Sequence, residues 1–228
     1  MIEDQFHFLH FTFLILHCLM FLSLPKLYPI TDARLSGLSH REQVARLLAG
    51  GASFIQLREK HASPRDFYQE AEAALRVARE GGARLIINDR VDAALALKAD
   101  GVHLGQDDLP PAAARSLLGE QAIIGYSTHT VAQALEAARL PVDYLAIGPI
   151  YATSSKDNPD PVVGLDGLRR VRQAAGDLPL VAIGGINRQN AREVIAAGAD
   201  SVALINALLA SPLEIEDRTR ELLASLNS

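Results

Sequence analysis

The chain has 228 residues, 49% of them hydrophobic and only 5% aromatic, with no tryptophan and a formal charge of −5. That length suits one α/β barrel or two small domains and leaves room for a sizeable core. The acidic balance argues against a general nucleic-acid binder, which is usually basic. The single cysteine, Cys18, excludes an internal disulfide, so a reducing cytoplasm is the expected setting.

The first 25 residues read differently from the rest. Phe6 to Leu24 is mostly Phe, Leu and Ile, long enough to resemble a membrane helix or a signal sequence. Yet Glu3 and Asp4 precede it, no Lys or Arg does, and His7, His10 and His17 interrupt it. The expectation is a hydrophobic extension outside the fold, read from a start placed too early, with Met20 an alternative start. A membrane anchor is the minor reading.

From Lys26 onward, strand-like and helix-like segments alternate without a break. Lys26–Thr31 is a short apolar strand, and Ser39 with Glu42 forms a capping box for a helix whose stripe is Val44, Leu47 and Leu48. The second strand is Ser53–Arg58, and its helix opens with Ser63-Pro64 and stops at Gly81-Gly82. Leu85–Ile87 and Val102–Leu104 are buried strands separated by a short helix, Val91–Leu97, and Pro110-Pro111 starts the next helix. The fifth strand, Ala122–Gly125, is followed by a helix capped by Thr130 with Gln133. The sixth, Tyr144–Gly148, leads to the longest break in the pattern, the polar loop Tyr151–Val163, then a helix over Leu165–Ala175. Leu180–Ile183 is the seventh strand, with Asn187 expected to cap its helix. Ser201–Ile205 is the eighth, and Ser211-Pro212 starts the last helix. Glycine or an Ala-Asp pair recurs just before several strands, as at Ala99-Asp100-Gly101 and Gly198-Ala199-Asp200. Eight such βα units close a single (β/α)₈ TIM barrel over residues 26–228, with no linker and no second domain.

In parallel α/β folds, residues just past the carboxyl ends of strands converge on the face where ligands bind. The third strand ends in Asn88-Asp89 and the fourth in Gly105-Gln106-Asp107-Asp108. Paired carboxylates at neighbouring strand ends suit Mg²⁺, a hard cation that keeps water and substrate phosphate in its shell. The plainer alternative is that Asp89 and Asp108 cap the helices after them. On the second strand, Gln56, Arg58 and Lys60 share one face, where two cations facing a barrel mouth call for an anion. A polyphosphate fits them, since Arg grips phosphate oxygens in a fork and Lys adds a point charge. The plainer alternative there is a surface ion pair, for instance to Asp89. Gly184-Gly185 and Ile205-Asn206 sit where barrels commonly bind a phosphate monoester, though glycines for a tight turn would read the same. The polar loop carries hydroxyls at Thr153, Ser154 and Ser155 and a cation at Lys156, in the manner of a lid. His129 reads as an orienting residue more readily than as a base, and His103, within a strand, as structural. A diphosphate pocket with metal, a second phosphate pocket and no dedicated base suit displacement of pyrophosphate by a tertiary aromatic nitrogen, which has no proton to lose.

Gln56-Leu-Arg-Glu-Lys60, Asn88-Asp89-Arg90, Gly105-Gln-Asp-Asp108, Gly125-Tyr-Ser127-Thr-His, Gly148-Pro-Ile-Tyr-Ala-Thr153-Ser-Ser-Lys156 and Ile183-Gly-Gly185-Ile together resemble the thiamine phosphate synthase family. The resemblance runs from Lys26 to Leu226, in order and with matching spacing. It implies joining of hydroxymethylpyrimidine diphosphate to a thiazole or carboxythiazole phosphate with release of pyrophosphate. By resemblance, Gln56, Arg58, Lys60, Asn88, Ser127 and Lys156 hold the pyrimidine diphosphate, with Arg58, Lys60, Ser127 and Lys156 serving the chemistry. The resemblance likewise implies that Asp89 and Asp108 bind Mg²⁺ and that Thr153, Ser154, Ser155, Gly185, Ile205 and Asn206 receive the thiazole phosphate. Asn206 stands where the family usually has Ser, and Ser155 where Thr is common; both can still hydrogen-bond phosphate. The expected partners are small phosphorylated molecules, not nucleic acid and not a membrane, and a homo-oligomer is compatible with the sequence. Two rivals stand beside this reading. One is a thiazole tautomerase of the same barrel group, which would use a histidine such as His129 and no metal. The other is a catalytically silent barrel that binds thiamine intermediates.

Overall fold

The computed structural model describes residues 22–153 and 161–228. The hydrophobic segment up to residue 21 and the Ser154–Lys156 part of the polar loop lie outside the described residues.

Eight strands are present among the described residues: β1 Leu27–Pro29, β2 Phe54–Leu57, β3 Arg84–Asn88, β4 Gly101–Leu104, β5 Ile123–Thr128, β6 Tyr144–Ile147, β7 Leu180–Ile183 and β8 Ser201–Leu204. All pair in parallel, in the order β1-β8-β7-β6-β5-β4-β3-β2. The ring closes where Ile30 bridges Gln56 and the Thr31 N–H donates to the Gln56 carbonyl at 2.9 Å. The (β/α)₈ expectation is therefore met. The main helices between and after the strands are α2 His40–Ala49, α3 Pro64–Glu80, α4 Val91–Leu97, α5 Pro111–Leu118, α6 Val131–Ala137, α7 Gly164–Ala175, α8 Ala191–Ala196 and α10 Ile215–Asn227. Two four-residue turns of helix, α1 Ala33–Ser36 and α9 Asn206–Leu209, add to them. Among the described residues no helix is long and apolar enough to cross a membrane.

The local signals explain most boundaries. Ser39 accepts from the Glu42 N–H while Glu42 reaches back to the Ser39 N–H. Ser63 and Thr130 cap α3 and α6 by accepting from the Asp66 and Gln133 N–H groups. Asn187 differs from expectation. It accepts from the Gln189 N–H at 2.9 Å in a turn that precedes the helix, and α8 begins only at Ala191.

Strand side chains alternate between two layers, as a period of two requires. Outward-facing Ile55, Leu57, Leu85, Ile87, Val102, Leu104, Ile124, Leu145, Ile147, Leu180 and Val202 pack under the helices. Inward-facing Tyr28, Ile30, Phe54, Ile86, Ile123, Tyr144, Ala146, Val181 and Ala203 fill the barrel, and Leu22 and Leu24 pack against this inner cluster. The recurrent Asp before a strand has a structural cause. Asp100 accepts from the Leu85 N–H at 2.9 Å, Asp143 from the Ile124 N–H at 2.6 Å and Asp200 from the Leu180 N–H at 2.8 Å. Each thus satisfies the first free donor of a neighbouring strand, and Asp143 and Asp200 also hold Arg115 and Arg172 at 2.7 Å. These contacts stabilise the end of the barrel opposite the strand C-termini, leaving the other end for ligands.

Asp143→Ala leaves the buried Ile124 N–H without an acceptor, so it is expected to lower unfolding free energy by about 1–3 kcal/mol. Urea titration reads that loss; wild-type stability would assign the contact no weight.

Candidate active site

The carboxyl ends of the strands surround a cavity of about 970 Å³. Its lining brings together Gln56, Arg58 and Lys60 from β2 and its extension, Asn88 and Asp89 from β3, and Asp108 after β4. Ser127 of β5, Thr153, Gly185, Ile205 and Asn206 complete the sequence-nominated set. Of the nominated residues only Ser154, Ser155 and Lys156 are not placed, because they fall outside the described residues.

Neither aspartate caps a helix. Arg90 and Pro110 occupy the N-cap positions of α4 and α5, and neither helix has a side-chain cap. Asp89 instead adopts a left-handed backbone with φ 62°, a conformation sparsely used by residues with a Cβ and often held at functional sites. It is held there by hydrogen bonds from Asp89 N–H to the His103 carbonyl (2.8 Å) and from Arg90 N–H to the Asn88 carbonyl (2.7 Å). Asp108 is oriented by the Gly105 N–H at 2.6 Å. Burial raises the Asp108 carboxyl above its ordinary value, and so does the nearby Asp89 carboxylate. The Gly105 N–H and the Lys60 ammonium act against that rise.

The two cations rest on carboxylates. Lys60 Nζ lies 3.2 Å from Asp89 and Arg58 lies 3.2 Å from Asp32, an acid that also caps α1. The ion pair to Asp89 raised as the plainer alternative is thus present, yet the Lys60 side chain remains 47% exposed at the cavity rim. Both cations keep further donors for an anion. Asn88 is buried, and its Nδ2 has no hydrogen-bond partner among the described residues, which leaves a donor at the cavity wall.

Across the mouth, Gly184 and Gly185 both have positive φ, 98° and 64°. A Cβ on Gly185 would lie 2.6 Å from the Ala152 carbonyl, so glycine lets this turn approach the base of the polar loop. Ile205 is the N-cap of α9 and Asn206 its first residue. His129 donates its backbone N–H to Gln133, and its Nδ1 lies 3.0 Å from the Gly148 carbonyl, an orienting arrangement as expected.

His103 has more to do with the cavity than a structural strand residue would. It is buried, lines the cavity floor, and joins Tyr144 through Nδ1 (2.9 Å) and Ser127 through Nε2 (2.8 Å). The available signal was its position: period two puts His103 inward, and its register partner Gly125 has no side chain to cover it. Burial pushes the His103 imidazole down to about 4, with the Asp108 carboxylate acting weakly the other way. The ring is therefore neutral at physiological pH. Tyr28 and Tyr144 beneath it were legible only as core aromatics.

Residues 27–208 match the family model described as thiamine monophosphate synthase. The chain belongs to that family. It is 50% identical over 187 residues to the thiamine-phosphate synthase of Chloroflexus aurantiacus, covering 82% of this chain and 86% of the relative. It is 48% identical over 214 residues to that of Koribacter versatilis, covering 91% and 98%. Among solved structures, the thiamine phosphate pyrophosphorylase from Pyrococcus furiosus superposes with a TM-score of 0.80 at 40% identity, over 89% of this chain and 95% of that one. The thiamine monophosphate synthase match runs from the start of β1 into α9 and so includes every strand that contributes to the cavity.

A histidine held neutral in the fold but free to protonate when unfolded makes stability fall with acid. The His103 contribution is complete above about pH 6.5 and is lost progressively as pH drops toward 4. Its slope is on the order of 1.4 kcal/mol per pH unit in that window. Denaturant titrations at pH 7.5, 6 and 5 should show a shallower acid loss in His103→Gln than in the wild type; identical slopes would mean the ring protonates in the folded state.

Proposed function

We propose that the chain joins 4-amino-2-methyl-5-hydroxymethylpyrimidine diphosphate to thiazole or carboxythiazole phosphate, giving thiamine phosphate and pyrophosphate. The observation that carries this reading is the facing pair Asp89 and Asp108 beside Lys60 and Arg58 at one rim of the cavity. The family membership supplies the substrate class.

The donor set fits Mg²⁺. Two crowded carboxylates, one of them pushed toward the protonated form, would be relieved by a divalent cation held by Asp89 and Asp108. Among the described residues no three His, Cys, Asp or Glu side chains converge. That agrees with an ion that takes one or two protein carboxylates and completes its shell with water and phosphate. When bound, Mg²⁺ would neutralise charge on the diphosphate and on the departing pyrophosphate.

The chain's own groups do the rest. Arg58 and Lys60 direct donors at phosphate oxygens, and Lys156 from the polar loop adds a third cation. Asn88 offers its unpartnered Nδ2, and Gln56 and Ser127 hold the pyrimidine. Thr153, Ser154, Ser155, Gly185 and the Ile205-Asn206 pair receive the thiazole phosphate. The bond from the pyrimidine methylene carbon to the diphosphate oxygen breaks with its electron pair staying on oxygen. The thiazole nitrogen lone pair then captures the methylene cation. No proton is transferred, so the reaction needs no poised base. Cation donors near the leaving group stabilise charge that develops only as the bond breaks, which raises kcat and not merely binding. A reducing cytoplasm remains the setting we infer, from the lone cysteine.

Asp89→Asn and Asp108→Asn are each expected to cut pyrophosphate release on the order of a hundredfold, about 2.7 kcal/mol in the transition state. The double variant should be little worse than either single one, because the two carboxylates serve one function as a unit. A coupled pyrophosphate assay with both substrates and Mg²⁺ reads this. Full activity of all three variants without divalent metal would remove the metal from the reaction.

A further inference from the structure

Beneath the cavity runs a hydrogen-bonded chain that the reaction above does not require. Gln56 Nε2 donates to the Tyr28 hydroxyl at 3.1 Å, and the Tyr28 and Tyr144 hydroxyls stand 2.8 Å apart. The Tyr144 hydroxyl is 2.9 Å from His103 Nδ1, and His103 Nε2 is 2.8 Å from Ser127 Oγ. Five side chains from β2, β1, β6, β4 and β5 thus cross the barrel interior, and both end residues line the cavity.

An amide nitrogen can only donate. Tyr28 therefore accepts from Gln56 and has one proton to give. If Tyr144 donated to Tyr28, that buried Tyr28 proton would face no acceptor among the described residues, a costly arrangement in a low-dielectric interior. With Tyr28 donating to Tyr144, the Tyr144 proton goes to His103 Nδ1, and both buried tyrosine protons are used. A neutral imidazole that accepts at Nδ1 carries its proton on Nε2 and donates it to Ser127.

We propose that this chain fixes His103 as the Nε2-protonated tautomer and so presents Ser127 to the cavity as a hydrogen-bond donor. Gln56, having committed a donor to Tyr28, retains its carbonyl oxygen as an acceptor. Tyr28, Tyr144 and His103 are positioning residues: none touches ligand through its role in the chain, yet together they decide which polar partner each end seeks. The matching ligand edge has an acceptor toward Ser127 and a donor toward Gln56. An aminopyrimidine carries both groups, and that last assignment rests on the function proposed above. The polarity of the chain does not.

The tautomer is read directly by ¹⁵N NMR of the uniformly labelled full-length protein, because protonated and bare imidazole nitrogens differ widely in shift. His103→Gln identifies the signals by their loss. The wild type is expected to show a bare Nδ1 and a protonated Nε2. Gln56→Glu, recorded at a pH where the ¹³C shift shows the introduced carboxylate ionised, places a pure acceptor at the end of the chain. Each bond then reverses: Tyr28 donates to the carboxylate, Tyr144 to Tyr28, Nδ1–H to Tyr144 and the Ser127 hydroxyl to Nε2. The ring keeps one proton, and the bare-nitrogen signal moves from Nδ1 to Nε2. On a Tyr28→Phe background the same substitution leaves the proton on Nε2, since the link is cut.

A wild-type ring protonated on Nδ1 or averaging between tautomers overturns the proposal. So does an unmoved tautomer in the folded, ionised variant, or a flip that persists without the Tyr28 hydroxyl. If Gln56→Glu fails to fold, the wild-type spectrum decides alone. Failure of the protein to release pyrophosphate would refute the proposed function and leave this reading standing, so the two failures are distinguishable.

Discussion

A closed eight-stranded parallel barrel must fill its own interior, and every polar group that goes inside needs a partner. The rest of this molecule depends on how that constraint is met. The inner layer combines an apolar cluster, Phe54, Ile86, Ile123, Val181 and Ala203, with a crossover to polar side chains at Gln56, His103 and Ser127. At the crossover stand Tyr28 and Tyr144, whose rings are buried edge-to-face at 5.9 Å between centroids while their hydroxyls pair with each other. Gly125 makes room for this: a Cβ there would lie 2.0 Å from Tyr144 Cζ and 2.5 Å from His103 Nδ1. The tyrosine hydroxyls and His103 thus form a hydrogen-bonded part of the cavity floor, packed among apolar side chains.

Above that floor the barrel has no interior left to fill, and the strand ends supply charge instead. Asp89 stands in a left-handed conformation that residues with a Cβ use sparsely, and it meets both Asp108 and Lys60. Like charges facing each other, a cation at the rim and a buried amide donor without a partner among the described residues meet at this end. The opposite end of the barrel shows the contrasting arrangement. There Asp100, Asp143 and Asp200 each close off a strand N–H, and Asp143 and Asp200 are also matched by arginines. The same residue type thus closes off one end and carries unmatched charge at the other, according to whether a backbone donor or another carboxylate faces it.

The barrel was legible in the sequence because each βα unit carries its own local signals. Apolar runs of strand length, Ser39, Ser63 and Thr130 as caps, and glycines at helix ends all act within a few residues. The site was legible where charged residues sit at strand ends, since burying or crowding them has few structural excuses. What was hidden depends on partners far apart in the chain. Tyr28 and Tyr144 are 116 residues apart, and nothing local distinguishes a core tyrosine from a member of a polar chain. His103 read as structural because its neighbours Val102 and Leu104 are apolar; its contacts come from β5 and β6. Asn187 misled for a smaller reason. An Asx turn and a helix cap use the same side-chain geometry and differ only in whether the next residues are helical. The tight packing of Gly185 against Ala152 likewise needs two loops brought together by strand order.

The central claim is that Asp89 and Asp108 bind diphosphate through Mg²⁺. Its most direct test is calorimetric titration of pyrophosphate into the wild-type protein, with Mg²⁺ present and with the metal removed by a chelator. The claim requires binding that weakens at least about tenfold on metal removal, or 1.4 kcal/mol. Equal affinity in both conditions would contradict it and leave pyrophosphate held by Arg58 and Lys60 alone.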